Sequence, residues 1–416
     1  MIGSPSIARV LSAVRRRTVL RGLGAALAAG LLPRAARAAG LELVPLKPNP
    51  HGAFAELWGV SGYVPGAGGA LGGAAAKRLA ARTPPATAKL RIFHFNDMHN
   101  YLASGRGEAD ETHALSQMVK RVRAARAKAK PGEAVLFLSC GDDRTGTALD
   151  KLLGDVEGRG FVSDPAYVAY SAAGVDAGAI GNHEFDHGAR TLRRGIRNHA
   201  RFPLLAANLH GCRELEAGRD VFPAAIGVAG DLRVALLGLV TPVAKHFRKA
   251  GDPGLALASP AAAAKELLPA LAAHADVVLI LSHCGFGEEF GPARKTDGWR
   301  FYIAEGDVTI ARAIAGLTEK PVLILGGHTH TVLNAAALDR DNVVGGIPIL
   351  QAGAHGKYLG EAVLNLAAGT ESRLSARLHA ARTGAEDGPR GERDDDYDRD
   401  FEFRVVDPLQ ARARTL

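Results

Sequence analysis

The chain has 416 residues, 47% of them apolar, enough for one large or two ordinary domains around a sizeable core. Its formal charge of +8 comes almost wholly from residues 1–38, where seven arginines (Arg9, Arg15, Arg16, Arg17, Arg21, Arg34 and Arg37) stand with no lysine or acidic residue; beyond them 44 basic residues face 43 acidic ones. A near-neutral body gives no support to a nucleic-acid-binding surface, and three cysteines, an odd number, exclude a disulfide scaffold.

Arg15 to Arg17 form a basic start, Gly22–Leu32 is an apolar stretch too short to span a bilayer, and Ala36-Arg37-Ala38 has the pattern of a cleavage site. Residues 1–38 therefore read as an export signal. The run Arg16-Arg17-Thr18-Val19-Leu20-Arg21 resembles the twin-arginine signature, with an ordinary secretion signal as the weaker alternative and an uncleaved anchor weaker still. It implies the twin-arginine export machinery as a partner, a bacterial periplasmic or secreted address, and no membrane anchor once the signal is removed. Residues 39–88 are rich in Gly, Ala and Pro and sustain no period, which predicts an irregular extension.

The organised domain is expected over residues 89–369. Strands are predicted at Lys89–Asn96, Ala134–Ser139, Asp176–Ile180, Phe202–Ala207, Asp276–Ser282, Pro321–Gly326, Ile347–Gln351 and Gly360–Leu366. Val221–Val228 and Leu232–Val240, joined by Gly-Asp, predict a hairpin. Helices are predicted from a Thr112 cap to Ala129, and at Pro165–Ala173, His187–His199, Pro260–His274 and Asp307–Ala315. Gly285–Gly306 reads as a surface insertion. Early alternation of helix and strand, then paired strands, predicts an α/β sandwich of two sheets with helices outside. Residues 370–416 predict a charged tail, with a solvated charge run at Glu386–Asp400 and an edge strand at Phe401–Val406.

Five apolar runs end in residues of metal-ligand type: Asp97 and His99, then Asp142, then Asn182 and His183, then His283, then His328 and His330. In open α/β sheets, chemistry collects beyond the carboxyl ends of the strands. Two adjacent divalent cations need nitrogen and oxygen donors and an anion to bridge them. Asp97, His99, Asp142, Asn182, His283, His328 and His330 supply four ligands per metal if one aspartate is shared. Such a donor set suits Zn, Mn, Fe or Co. A metal pair can clamp both sides of an in-line phosphoryl displacement. Cys140 and Cys284 flank these runs and read as buried small residues, with a disulfide or ligand role as the lesser alternative.

The motifs F-H-F-N-D-M-H, C-G-D-D-R-T-G-T, G-N-H-E-F-D-H-G, L-S-H-C-G and G-G-H-T-H, taken in order, resemble the calcineurin-like metallophosphoesterases. The similarity is closest to the catalytic domain of bacterial 5'-nucleotidases and UDP-sugar hydrolases, and Q-A-G-A-H-G-K-Y-L-G resembles their closing strand. The resemblance covers residues 89–367 and implies an αββα sandwich. It implies a first metal on Asp97, His99 and His330, a second on Asn182, His283 and His328, and Asp142 as the bridge. It further implies His183 as the catalytic histidine, oriented by Asp186. Substrate contacts are expected from Arg144, which could instead pair with Asp143, from Asn208 and from His355. His113 and His246 lie outside the motifs and read as surface residues. The implied activity is 5'-nucleotidase-like phosphomonoester hydrolysis by a metal-bound hydroxide with His183 assisting. Alternatives are a phosphodiesterase or sugar-nucleotide hydrolase, then a thiosulfohydrolase, then a non-catalytic binding protein. The second, nucleoside-gripping domain of those nucleotidases is not expected from the 47 residues of the charged stretch Thr370–Leu416.

Overall fold

The computed structural model describes residues 40–103, 113–154, 160–288, 291–292, 302–367, 372–381 and 396–416. Two sheets lie face to face. One has six strands in the order Arg373–Ala380, Tyr358–Ala367, Thr87–Phe95, Glu133–Ser139, Ala177–Ala179 and Leu204–Leu205. The other has nine, with Ile347–Leu350, Val322–Leu325, Val277–His283 and Leu232–Val240 running parallel at its centre.

Strand alternation explains the layers. Leu90, Ile92, Leu136 and Leu138 point inward and meet Val234, Leu236, Leu279, Leu281, Leu323 and Leu325 of the other sheet. Phe93, Phe95, Val135 and Phe137 point outward onto helix residues Leu115, Met118, Val119, Val122, Tyr167 and Tyr170. On the far side, Leu237, Leu239, Val278 and Ile280 pack on Leu267, Leu268, Leu271, Ile310 and Ile314. The order is helix, sheet, sheet, helix, as expected. Local signals set several boundaries. Asp164 caps Pro165–Ala173 by accepting from Tyr167 N–H, and Ser259 caps Pro260–Ala272 by accepting from Ala262 N–H. The hairpin forms around Gly230-Asp231, with Leu232 opposite Ala229.

Two expectations are corrected. The segment read as an irregular extension instead supplies Leu41–Leu46, Glu56–Ser61 and Leu71–Gly72 to the nine-stranded sheet, and a helix at Gly73–Ala80. Glu56–Ser61 pairs with Ala224–Ala229, a partner far away in sequence, and Leu41, Trp58, Val60 and Leu79 are buried. Gly59 sits under the Phe222 ring, where a Cβ would lie 2.4 Å from Cδ1. The edge strand expected at Phe401–Val406 is helical, in a run from Arg399 to Arg414 with a π turn at Glu402–Val406. Asp398 caps it by accepting from Phe401 N–H at 3.0 Å, and Phe401, Val406, Leu409 and Ala413 bury one helical face. The edge strand of that sheet is Arg373–Ala380, antiparallel to Tyr358–Ala367. The export signal, the Thr112 cap, half of the Gly285–Gly306 insertion and most of the Glu386–Asp400 charge run lie outside the described residues. Among the described residues no helix is long and apolar enough to cross a membrane.

Candidate metal centre

Backbone strain marks the site before any side chain is considered. Among the described residues, nine that are not glycine hold a left-handed φ, and six of them gather here: Asp97 (50°), His99 (49°), Asp142 (53°), His328 (74°), His330 (52°) and His355 (57°). Such conformations persist where the surroundings over-determine them, and they concentrate at functional sites. Asp97 and His99 follow the Thr87–Phe95 strand, Asp142 follows Glu133–Ser139, and Asn182 and His183 follow Ala177–Ala179. From the facing sheet, His283 ends Val277–His283, and His328 and His330 follow Val322–Leu325. Both sheets therefore deliver ligand-type groups to one place.

The groups are close. His283 Nε2 lies 2.9 Å from Asp142 Oδ2 and 3.8 Å from Asp97 Oδ1, and His330 Nε2 lies 3.4 Å from Asp97 Oδ1. Donor atoms of Asp142, His283 and His328 fall within 4.8 Å of one another, as do those of Asp97, His99 and Asp142. Hydrogen bonds aim the rings. Nδ1 of His283 meets the Cys140 carbonyl at 2.7 Å and Nδ1 of His99 meets the Thr145 carbonyl at 2.9 Å, which leaves each Nε2 for the site. Asp97 Oδ2 accepts from Asn96 Nδ2 (2.6 Å) and His328 N–H (2.9 Å), and Asp142 Oδ1 accepts from His183 N–H (2.7 Å). Close approach demands glycine beside the ligands: a Cβ at Gly327 would stand 2.8 Å from both the Cys140 carbonyl oxygen and His283 Nδ1.

These contacts set the charges. Burial alone would raise the Asp97 carboxyl, but His330 and His283 outweigh it and bring it to about 2. Asp142 is likewise held well below the usual carboxylate range, by His283 and His183 against the effect of burial. Burial disfavours the charged form of His283, yet Asp142 and Asp97 lift it to about 10. Burial and the neighbouring His283 push His328 down to about 3. Buried Asn182 Oδ1 accepts no hydrogen bond from any described residue. An unpartnered buried carbonyl among aspartates and aimed imidazoles is what a divalent cation would satisfy, so the donor set fits the expected metals.

His183 stands beside this cluster with its side chain 41% exposed, more open than the imidazoles of His283 and His330. Its Nδ1 is 2.8 Å from Asp186 Oδ2, and Asp186 Oδ1 is 3.4 Å from Lys249 Nζ. Burial lowers the imidazole, but Asp142 and the Asp186 hydrogen bond outweigh it and hold it at about 9. His355 closes another side: its ring centroid is 5.4 Å from His99 and 5.1 Å from His330. Burial and those two neighbours push it down to about 3.

Three sequence expectations fail here. Arg144 is fully buried and pairs with Asp164 (Nε to Oδ2, 3.1 Å), not Asp143, while its Nη1 donates to the Glu184 carbonyl at 2.7 Å; it has no access to substrate. Asn208 is also fully buried, and its amide is spent on the backbone of Val240 and Ala258. His246 is half-buried rather than open on the surface, and its ring lies 5.4 Å from that of His328. His113 Nδ1 lies 3.1 Å from Glu402 Oε1, and its ring stacks on Tyr397. Cys140, Cys212 and Cys284 are free thiols.

Glu184 was assigned no role by the sequence pattern, although it lies inside G-N-H-E-F-D. Its carboxylate accepts from Gly181 N–H (2.7 Å), Asp142 N–H (3.1 Å) and Asp143 N–H (2.8 Å), so it fastens two ligand loops together. Burial and Asp142 raise it to about 7. Gln351 plays the matching part across the site. It donates to the Gly327 carbonyl at 2.8 Å and accepts from Thr331 N–H, which orders the His328–His330 turn.

The calcineurin-like phosphoesterase family matches residues 90–332. Protein UshA of Escherichia coli is 32% identical over 296 residues, covering 66% of this chain and 49% of UshA. A 5'-nucleotidase of Vibrio parahaemolyticus is 28% identical over 319 residues, covering 70% of this chain and 51% of its own length. The chain thus spans about half the length of these curated relatives. Among solved structures, the calcineurin-like phosphoesterase YfkN of Bacillus subtilis superposes with a TM-score of 0.57 at 21% identity, covering 79% of this chain and 99% of that one. The family match runs over more than half of the chain and takes in all seven ligand-type residues, so this protein belongs to the calcineurin-like phosphoesterase family.

Proposed function

We propose that this protein is an exported, metal-dependent phosphomonoesterase of the 5'-nucleotidase kind, with a dinuclear centre. The observation that carries the reading is the convergence of seven ligand-type groups from two sheets beside a histidine with one nitrogen tied down and its side chain partly exposed. Asp97, His99 and His330 would hold one ion, Asn182, His283 and His328 the other, with Asp142 shared. Bound there, two divalent ions supply Lewis-acid polarisation of the phosphoryl oxygens and a water acidified toward neutral pH.

The remaining work belongs to the chain's own residues. Asp186 fixes the His183 ring through Nδ1, which turns Nε2 toward the phosphoryl group or the leaving oxygen. In its protonated form the imidazole donates a hydrogen bond to the charge that develops there. Glu184 and Gln351 hold the loops so that the donors need not reorganise. Nucleotides are the proposed substrates because the Vibrio relative carries that activity in its name.

The test is hydrolysis of aryl phosphates, nucleotides, sugar nucleotides and bis-aryl phosphates by purified protein, with and without added manganese. Monoesters should be cleaved fastest, and Asp142→Ala should lower kcat/KM by roughly 10³-fold. Full activity in that variant would sink the proposal. For export, replacing Arg16 and Arg17 by lysine should strand the protein in the cytoplasm; unchanged fractionation would refute a twin-arginine route.

A further inference from the structure

We propose that His355 is a third imidazole ligand of the ion held by Asp97, His99 and His330. The inference rests on the dinuclear reading above and extends it to a residue that reading leaves out. One donor nitrogen from each of His99, His330 and His355 lies within 4.8 Å of the other two. Their ring centroids form a nearly equilateral triangle with sides of 5.5, 5.4 and 5.1 Å. Three imidazoles sharing one ion at a metal–nitrogen distance of about 2.1 Å carry their centroids about 4.5–5.3 Å apart. The triangle is therefore almost of ligating size before any ion is placed in it.

The backbone supports the same assignment. His355 sits in the crossover from Ile347–Leu350 of one sheet to Tyr358–Ala367 of the other. Its N–H donates to the carbonyl of Asp97 at 2.8 Å. Two residues earlier, the Asn96 side chain clamps the same loop, donating to the Gly353 carbonyl (2.5 Å) and accepting from Ala352 N–H (2.8 Å). The loop is thus fastened to the strand end that presents Asp97 and His99. Its φ of 57° is the strained left-handed conformation that Asp97, His99, His328 and His330 also hold. A merely structural histidine gains nothing from this; glycine or asparagine would occupy the position at lower cost. The ring also lies 4.6 Å from that of Tyr101, which limits its rotation.

The test uses demetallated full-length protein titrated with Co²⁺, reading visible absorption and affinity by chelator competition. Wild type should take up two ions. His355→Gln should weaken one of the two by tenfold or more and change the absorption of that ion while leaving the other site intact. His355→Gly, which relieves the backbone strain, should show the same loss in a protein whose Tm in chelator is no lower than wild type. Affinities within twofold of wild type with an unchanged spectrum would overturn the assignment, as would a variant that raises KM for an aryl phosphate while both affinities hold. Failure of wild type to bind two ions would instead overturn the dinuclear reading, and this inference with it.

Discussion

At the scale of single residues, the chemistry turns on a few hydrogen bonds that fix rings. His183 is the sharpest case. Its Nδ1 is committed to Asp186 and its pKa is raised, so His183→Ala should lower kcat by about 10²–10⁴-fold while bound metal, measured by elemental analysis, stays at the wild-type level. His283 makes a prediction with a sign. Without metal it keeps its proton up to about pH 10, so ion uptake at pH 7 must displace that proton. Apparent affinity for Mn²⁺ should then rise by up to about tenfold per pH unit between about pH 7 and 9; calorimetry in buffers of different ionisation enthalpy should show the released proton. The ligand-type residues were legible in the sequence because each stands where an apolar run stops. The fates of Arg144 and Asn208 were not. A polar residue near a motif looks the same whether it faces the cleft or, like Arg144, is absorbed by Asp164 from another element.

At the scale of elements, caps and periods were readable and partners were not. Pro165–Ala173 was predicted end to end because Asp164, Pro165 and the left-handed Gly174 punctuate it locally. The Leu41–Leu46 and Glu56–Ser61 strands were missed because they stand in a Gly/Ala/Pro-rich stretch with no sustained alternation; Leu41–Leu46 pairs with Glu56–Ser61, and Glu56–Ser61 alone of the two reaches across to Ala224–Ala229. The C-terminal helix was misread as a strand because Phe401–Val406 has the composition of one; its helical state depends on the Asp398 cap and on burial of Phe401, Val406, Leu409 and Ala413. Phe401 is 2% exposed, so Phe401→Ala should destabilise the protein by about 3–5 kcal/mol, seen as a lower urea midpoint at unchanged m-value. Loss of under about 1 kcal/mol would mean that this helix does not belong to the cooperative fold.

At the scale of the whole molecule, the centre is a seam. Asp97, His99, Asp142 and Asn182 come from the six-stranded sheet, and His283, His328 and His330 from the nine-stranded one. A ligand bound there links the sheets and stabilises the folded state in proportion to the logarithm of its excess over Kd. Chelation should therefore lower Tm, and the drop should widen at alkaline pH. The sign follows from His283 and His183, both raised above 6.5 in the fold: their stabilising contribution is complete below that value and is lost as pH rises through about 9 to 10. Scanning calorimetry from about pH 7 to 10, with and without chelator, measures this; a chelated protein equally stable across the range would contradict it.

The sequence by itself determined the chemical inventory, the strand ends that carry it and the alternation that makes a two-sheet sandwich, because these depend on periods and caps spanning only a few residues. Tertiary structure alone decided which strands complete the nine-stranded sheet, which polar residues are consumed in the core, and that His355 arrives beside His99 and His330. Those outcomes depend on contacts between residues that the chain keeps far apart until the two sheets close on each other.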